Sequence, residues 1–209
     1  MTRTAVRPLV AALVVAPALA LAVPAAPSAG PDAASGAVRW VARQPAARCF
    51  PGFLSARLAG TGGNLPVNAI PLARKYQVGQ ALATRFERLA PPHGRADAVS
   101  GSWDPASRLG AVARTGDEYA EVVVFRSAGS PPAAAAHRRV PPMLSAGLGI
   151  GSSRAAVERY FGAARRPLRS ARACALTAQA FATEDVPVFA YRFVYRDDRV
   201  VAFSFHFEV

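Results

Sequence analysis

The sequence predicts an α+β fold, with short helices packed on an antiparallel sheet. Three observations predict it. Leu109 to Arg114 and Tyr119 to Arg126 are strand-like runs joined by the turn-forming Thr115-Gly116-Asp117-Glu118. Val188 to Tyr195 and Val200 to Val209 make a second, longer hairpin with aromatics at alternate positions. Ser152-Ser153 opens and Gly162 closes a short segment, Arg154 to Phe161, whose Val157, Tyr160 and Phe161 form one apolar stripe.

Composition bounds the answer. Of the 209 residues, 52% are hydrophobic and 18% are charged, too apolar for a chain disordered throughout. The length suits one or two domains with a real core. Lys and Arg number 25 against 13 Asp and Glu, for a formal charge of +12. Lys75 is the single lysine, and Ala, Gly and Pro are abundant, as in GC-rich coding sequence. The arginine excess is therefore partly mutational and does not by itself announce phosphate recognition.

Residues 1–29 read as a signal peptide. Arg3 and Arg7 precede an apolar run from Pro8 to Val23, and Ala18-Leu19-Ala20 and Ala20-Leu21-Ala22 offer cleavage sites. The run is too short, and broken by Pro17, for a spanning helix. No cysteine stands near the cleavage region, so the protein is expected not to be a lipoprotein. The expectation is a mature chain without a transmembrane span, periplasmic or extracellular, with a charge lowered to +10 by loss of Arg3 and Arg7. In an oxidising compartment Cys49 and Cys174 are expected to form a disulfide; the alternative is two separately buried thiols.

Along the mature chain, residues 30–37 read as a flexible leader and residues 38–127 as an N-terminal α+β unit. Val38-Arg39-Trp40-Val41 alternates like a strand, and Gly79 to Leu89 has helical spacing, with Leu82, Phe86 and Leu89 on one face. The β-branched run Val122 to Phe125 predicts a central strand covered on both faces. Residues 128–142, with Pro131-Pro132 and Pro141-Pro142, read as a linker or long loop. Residues 143–209 form a C-terminal unit. In its hairpin an odd loop, Asp197 to Arg199, pairs Tyr195 with Val201, Phe193 with Phe203, Tyr191 with Phe205 and Phe189 with Phe207. The aromatics then share one face, which is predicted to pack on the helix after Ser152.

Gly149-Ile150-Gly151-Ser152-Ser153, then Val157, Phe161-Gly162 and the late aromatic hairpin, resemble the SmpA/OmlA (BamE-like) family over residues 146–209. The related β-lactamase inhibitor proteins are secreted and carry two such units in tandem. The resemblance implies a helical hairpin on a small antiparallel sheet. The first half has a helix and hairpin in the same order, so two diverged tandem units are the alternative to one. BamE-like lipoproteins carry a lipidated cysteine that is missing here, so their role in barrel assembly is not carried over.

Little catalytic chemistry suggests itself. His93 and His137 fall in loops. His206 and Glu208 share a strand face, too few ligands for a metal site. No nucleophile elbow and no phosphate loop occur. The resulting expectation is a non-enzymatic binding protein of the envelope or medium, without a cofactor. Its partner would be a protein or an anionic envelope component, and not nucleic acid. It would act through an exposed sheet face or an arginine surface, the candidate being Arg165, Arg166, Arg169 and Arg172. The alternative is an extracytoplasmic enzyme with a site near His206 and Glu208.

Overall fold

The computed structural model describes residues 31–50, 67–70, 89, 98–116, 119–144, 147–162, 169–182 and 189–208. The signal segment lies outside these residues, as does the helix expected over Gly79 to Leu89 except for Leu89 itself, a buried turn residue.

Pro31 occupies the first position of helix α1 (Pro31–Ala42), where its missing N–H costs nothing. A short helix α2 (Pro45–Cys49) follows. This corrects two expectations, a leader over 30–37 and a strand at Val38 to Val41. The buried residues Ala37, Trp40, Val41 and Gln44 recur at i, i+3, i+4 and i+7, a helical period. Over the four residues Val38 to Val41 alone that period is indistinguishable from alternation.

Nine strands make one sheet among the described residues. They are β1 (Val67–Ala69), β2 (Ala98–Asp104), β3 (Leu109–Thr115), β4 (Tyr119–Arg126), β5 (Ala136–His137), β6 (Arg169–Ala171), β7 (Leu176–Ala182), β8 (Phe189–Arg196) and β9 (Arg199–Glu208). Their order is β1-β7-β8-β9-β4-β3-β2-β5, with β6 beside β7. Two meanders, β2-β3-β4 and β7-β8-β9, join through their last strands, from Tyr119↔Glu208 to Phe125↔Ala202. A two-residue or three-residue strand runs parallel to the outer strand of each meander, β5 on β2 and β1 on β7. The order is thus palindromic when β1, β2, β3 and β4 are exchanged with β5, β7, β8 and β9.

The segment expected to be a linker or long loop is mostly loop and contributes one two-residue strand to this sheet. Ala136 and His137 pair with Ser102 and Trp103, and Ala135 and Val140 are buried. Nothing in its composition signals this, because so short a strand is made by its neighbour's open edge.

The β3–β4 hairpin has the expected strands, and β4 is covered on both faces. Val122 and Val124 enter one core, Val123 and Phe125 the other. The final hairpin pairs Phe189 with Phe207, Tyr191 with Phe205 and Phe193 with Phe203, as expected. Its loop is not odd. Arg196 pairs with Arg199, and Asp197 and Asp198 turn with φ of 48° and 56°, the signs of a type I′ turn. The pairing steps from Val194↔Ala202 to Tyr195↔Val200. Val201 is therefore an extra residue, a β-bulge that restores the aromatic register a two-residue turn would otherwise break.

The first core lies between the aromatic face and helix α3 (Arg154–Phe161). The Phe161 ring centroid is 5.1 Å from that of Phe181 and 4.9 Å from that of Tyr191. Ser153 caps α3, its hydroxyl accepting from the Ala156 N–H at 3.2 Å. At the other end Gly162 adopts φ 106° and ψ 155°, a conformation nearly restricted to glycine. Gly162→Ala is expected to lower stability by about 1–3 kcal/mol. An unchanged urea midpoint would remove the strain argument.

The second core lies on the opposite face, under α1 and α2. Trp40 packs edge-on to Phe125 at 4.9 Å and to Trp103 at 6.2 Å. The helix approaches this closely because Gly110 has no side chain: a Cβ there would stand 2.6 Å from both the Trp40 and the Phe125 rings. Cys49, at the end of α2, is bonded to Cys174 in the 3-10 turn Arg172–Cys174, with a Cα–Cα distance of 6.4 Å. Both centres of the sheet are thus covered, which corrects the expectation of an exposed sheet face over these residues.

Candidate binding surface

The polar residues divide into a buried set and an exposed set. The buried set crosses the central strands on the α1 side of the sheet. Register places Arg114 opposite Glu121, Glu121 opposite His206, and Ser204 opposite Arg192. Glu121 and Ser204 are fully buried, and His206 is 9% exposed. Burial lowers the Arg192 guanidinium pKa, and the charge of Glu121 opposes that shift. A buried carboxylate is favoured by compensating charge, here Arg114 on the adjacent strand and Arg192 two strands away.

This is where the structure puts His206. It is 9% exposed and stands opposite Glu121 across the strands. Glu208 pairs with Tyr119 two residues along β9. Among the described residues no three His, Cys, Asp or Glu side chains gather as a metal set. The sequence reading missed Glu121 as His206's neighbour. The available signal was a glutamate set directly before the run Val122 to Phe125, in a strand otherwise built for burial.

Two further polar arrangements hold elements together. On the aromatic face the Tyr195 hydroxyl donates to Gln179 Oε1 at 2.8 Å, and Gln179 Nε2 donates to Glu158 Oε1 at 2.6 Å. Burial raises the Tyr195 pKa, so this phenol stays a donor. At the β2–β3 turn, Asp104 accepts from the Ala106 N–H at 3.0 Å and from the Ser107 and Val140 N–H groups at 3.4 Å. Burial pushes its carboxyl up, but these hydrogen bonds outweigh that and hold it below the usual range.

The exposed set is concentrated at one end of the sheet. There the C-terminus of α1, the β2–β3 turn, the end of β4 and the end of β5 converge. The Ser127 N–H donates to the Arg108 carbonyl at 3.2 Å, and the Ala128 N–H donates to Gln44 Oε1 at 2.9 Å. The Arg138 N–H donates to the Trp103 carbonyl at 3.0 Å. These bonds bring Arg43, Arg108, Arg126, Arg138 and Arg139 to one rim, all exposed. The one acid in this quadrant of the described rim, Asp104, is turned inward on backbone amides. Farther round the same end, Arg154 pairs with Asp198 at 3.3 Å, so that quadrant is partly neutralised.

The cysteines anticipated as a disulfide form one. Of the anticipated arginine surface, Arg165 and Arg166 lie outside the described residues. Arg169 lies in β6 and Arg172 begins the 3-10 turn, with their backbones alone described. The rim found here is formed by different arginines, brought together from four elements, of which only Arg138 and Arg139 are adjacent in the sequence. No protein-family model, curated protein or solved structure matches the chain.

Proposed function

We propose that this is an exported, non-enzymatic binding protein of the cell envelope or medium, acting on an acidic partner. One observation carries the reading: the described ionisable groups sort by location. Inside the sheet Glu121 is set across from Arg114 and His206, whereas Arg43, Arg108, Arg126 and Arg139 gather exposed at one rim. A concentration of basic side chains at one surface attracts negatively charged partners. The disulfide favours an oxidising compartment, in keeping with the signal-like N-terminus. Burial of His206 against Glu121 favours a structural role for that residue over a catalytic one. The palindromic strand order favours two diverged helix-plus-meander units, the tandem plan of the inhibitor proteins that residues 146–209 resemble.

The test is to express the precursor in a secreting host and determine its N-terminus after export by mass spectrometry. Cleavage after Ala20 or Ala22 is expected. The processed protein is then used as bait on envelope and culture fractions. An unprocessed, cell-retained precursor would overturn export. Capture no greater than that by an unrelated protein of equal charge would overturn binding.

A further inference from the structure

We infer that Arg192 anchors a second binding site, on the α1 side of the sheet, for a small monocarboxylate with a short apolar tail. The inference goes beyond the rim and holds whether or not the rim meets an acidic partner. It starts from the palindromic strand order. The two meanders match when β3 and β8 are aligned at their first residues, Leu109 and Phe189. The strand registers then fix the counterparts of the polar set. Val112 stands for Arg192, Val194 for Arg114, Ala202 for Glu121 and Phe125 for His206. All four counterparts are buried in the second core. One half of the sheet thus fills these places with apolar side chains, so the fold does not demand charge there. Buried charge is costly to install, and departures from the pattern of a fold concentrate where a protein works.

Arg192 is half-buried, and its Nη1 atom is buried with no hydrogen-bond partner among the described residues. The charge that acts on it is that of Glu121, two strands away, which already faces Arg114. Among the described residues two guanidinium groups thus stand around one carboxylate, and His206 adds no negative charge. A buried donor without an acceptor costs stability, and an oxyanion supplies both the acceptor and the counter-charge. The neighbours set the kind of anion. Across the strands Arg192 is flanked by Ala180 and Ser204, and along β8 by Ala190 and Val194. Small cross-strand neighbours leave room beside the guanidinium, and the alanines and Val194 make the wall apolar. A carboxylate meets the guanidinium fork with two parallel hydrogen bonds. Its single charge equals the surplus, whereas a phosphate dianion would bring a second negative charge close to Glu121. The apolar wall suits a short aliphatic tail.

The experiment follows the arginine Nε–H and backbone amide resonances of the isotope-labelled, processed protein by NMR. The Arg192 side-chain resonance is the one missing from Arg192→Lys. Acetate, butyrate, phosphate and chloride are titrated at constant ionic strength. The Arg192 signal and the amides of Ala180 and Ser204 are expected to shift saturably with both carboxylates. Butyrate should bind about fivefold tighter than acetate, because its added methylenes lie on the apolar wall. Phosphate and chloride should give no saturable shift. Arg192→Lys keeps the charge and loses the fork, and should weaken butyrate at least about tenfold, read at the Ala180 and Ser204 amides. Arg196→Ser, an exposed position on the same strand, should bind within about twofold of wild type. Arg114→Met/Glu121→Leu/Arg192→Met restores the apolar pattern of the other half; it should fold, show no saturable shift, and decide the matter where Arg192→Lys unfolds. No saturable shift with butyrate in the wild type would overturn the assignment. So would tighter binding of phosphate or chloride, equal affinity for acetate and butyrate, or equal losses in Arg192→Lys and Arg196→Ser. None of these outcomes bears on export or on capture of an acidic partner, which fail only on their own test.

Discussion

Reduction of Cys49–Cys174, or the Cys49→Ala/Cys174→Ala pair, is expected to remove up to about 5 kcal/mol of stability. The bridge spans a sequence separation of 125 residues. In the chain-entropy account, opening so long a loop enlarges the unfolded ensemble greatly while the native contacts stay in place. The expected fall in melting temperature is about 10–15 °C for a domain of this size. The urea m-value should rise, since the reduced chain exposes more surface when unfolded. The loss should be larger for the helical layer than for the sheet. The bridge is the covalent tie between α2 and the strands, and the remaining hold on α1 and α2 includes the packing of Trp40, Val41 and Phe50 and the hydrogen bonds from Trp40 Nε1 to Ser127 and from the Ala128 N–H to Gln44. Urea titrations with and without reductant measure this directly. Coincident midpoints would show that the second core holds the helices unaided.

Glu121→Gln is expected to cost about 3–5 kcal/mol, although it removes one charge and almost no volume. Glu121 is fully buried, faces Arg114 and His206 on its two neighbouring strands, and interacts with the charge of Arg192. Neutralising it leaves positive charge in the sheet without its counter-charge. Replacing the set together, as Arg114→Met/Glu121→Leu/Arg192→Met, should recover most of the loss, because burying an ion pair rarely beats an apolar fit. The comparison separates a need for charge from a need for balance. A Glu121→Gln variant within about 0.5 kcal/mol of wild type would mean that water reaches the set and solvates it.

Local residues determined several elements directly. Ser153 and Gly162 bound α3 because one hydroxyl and one missing Cβ suffice to start and stop a helix. The run Val122 to Phe125 makes a two-faced strand because every second residue belongs to a different core. The aromatic pairs of the last hairpin follow from alternation, since any slip sends four rings to the wrong face. The turn between them was less legible. A bulge at Val201 and a two-residue turn at Asp197-Asp198 produce the same Phe189, Tyr191 and Phe193 pairs as an odd loop, while Tyr195 pairs with Val200 and not with Val201. Sequence alternation records only the outcome.

Tertiary structure decided the rest. Helix α1 is a helix because a sheet face with Gly110 and Gly101 lies beneath its apolar stripe, information held by residues far along the chain. Ala136 and His137 are a strand because β2 offers them an edge. The charges behave the same way. The sequence by itself determined how many arginines there are, while the topology decided which meet. It placed Glu121 between Arg114 and His206 and drew five distant arginines to one end of the sheet. Composition and local period act over a few residues, but an ionic set or a charged rim is a contact between strands, and only their order and register create it.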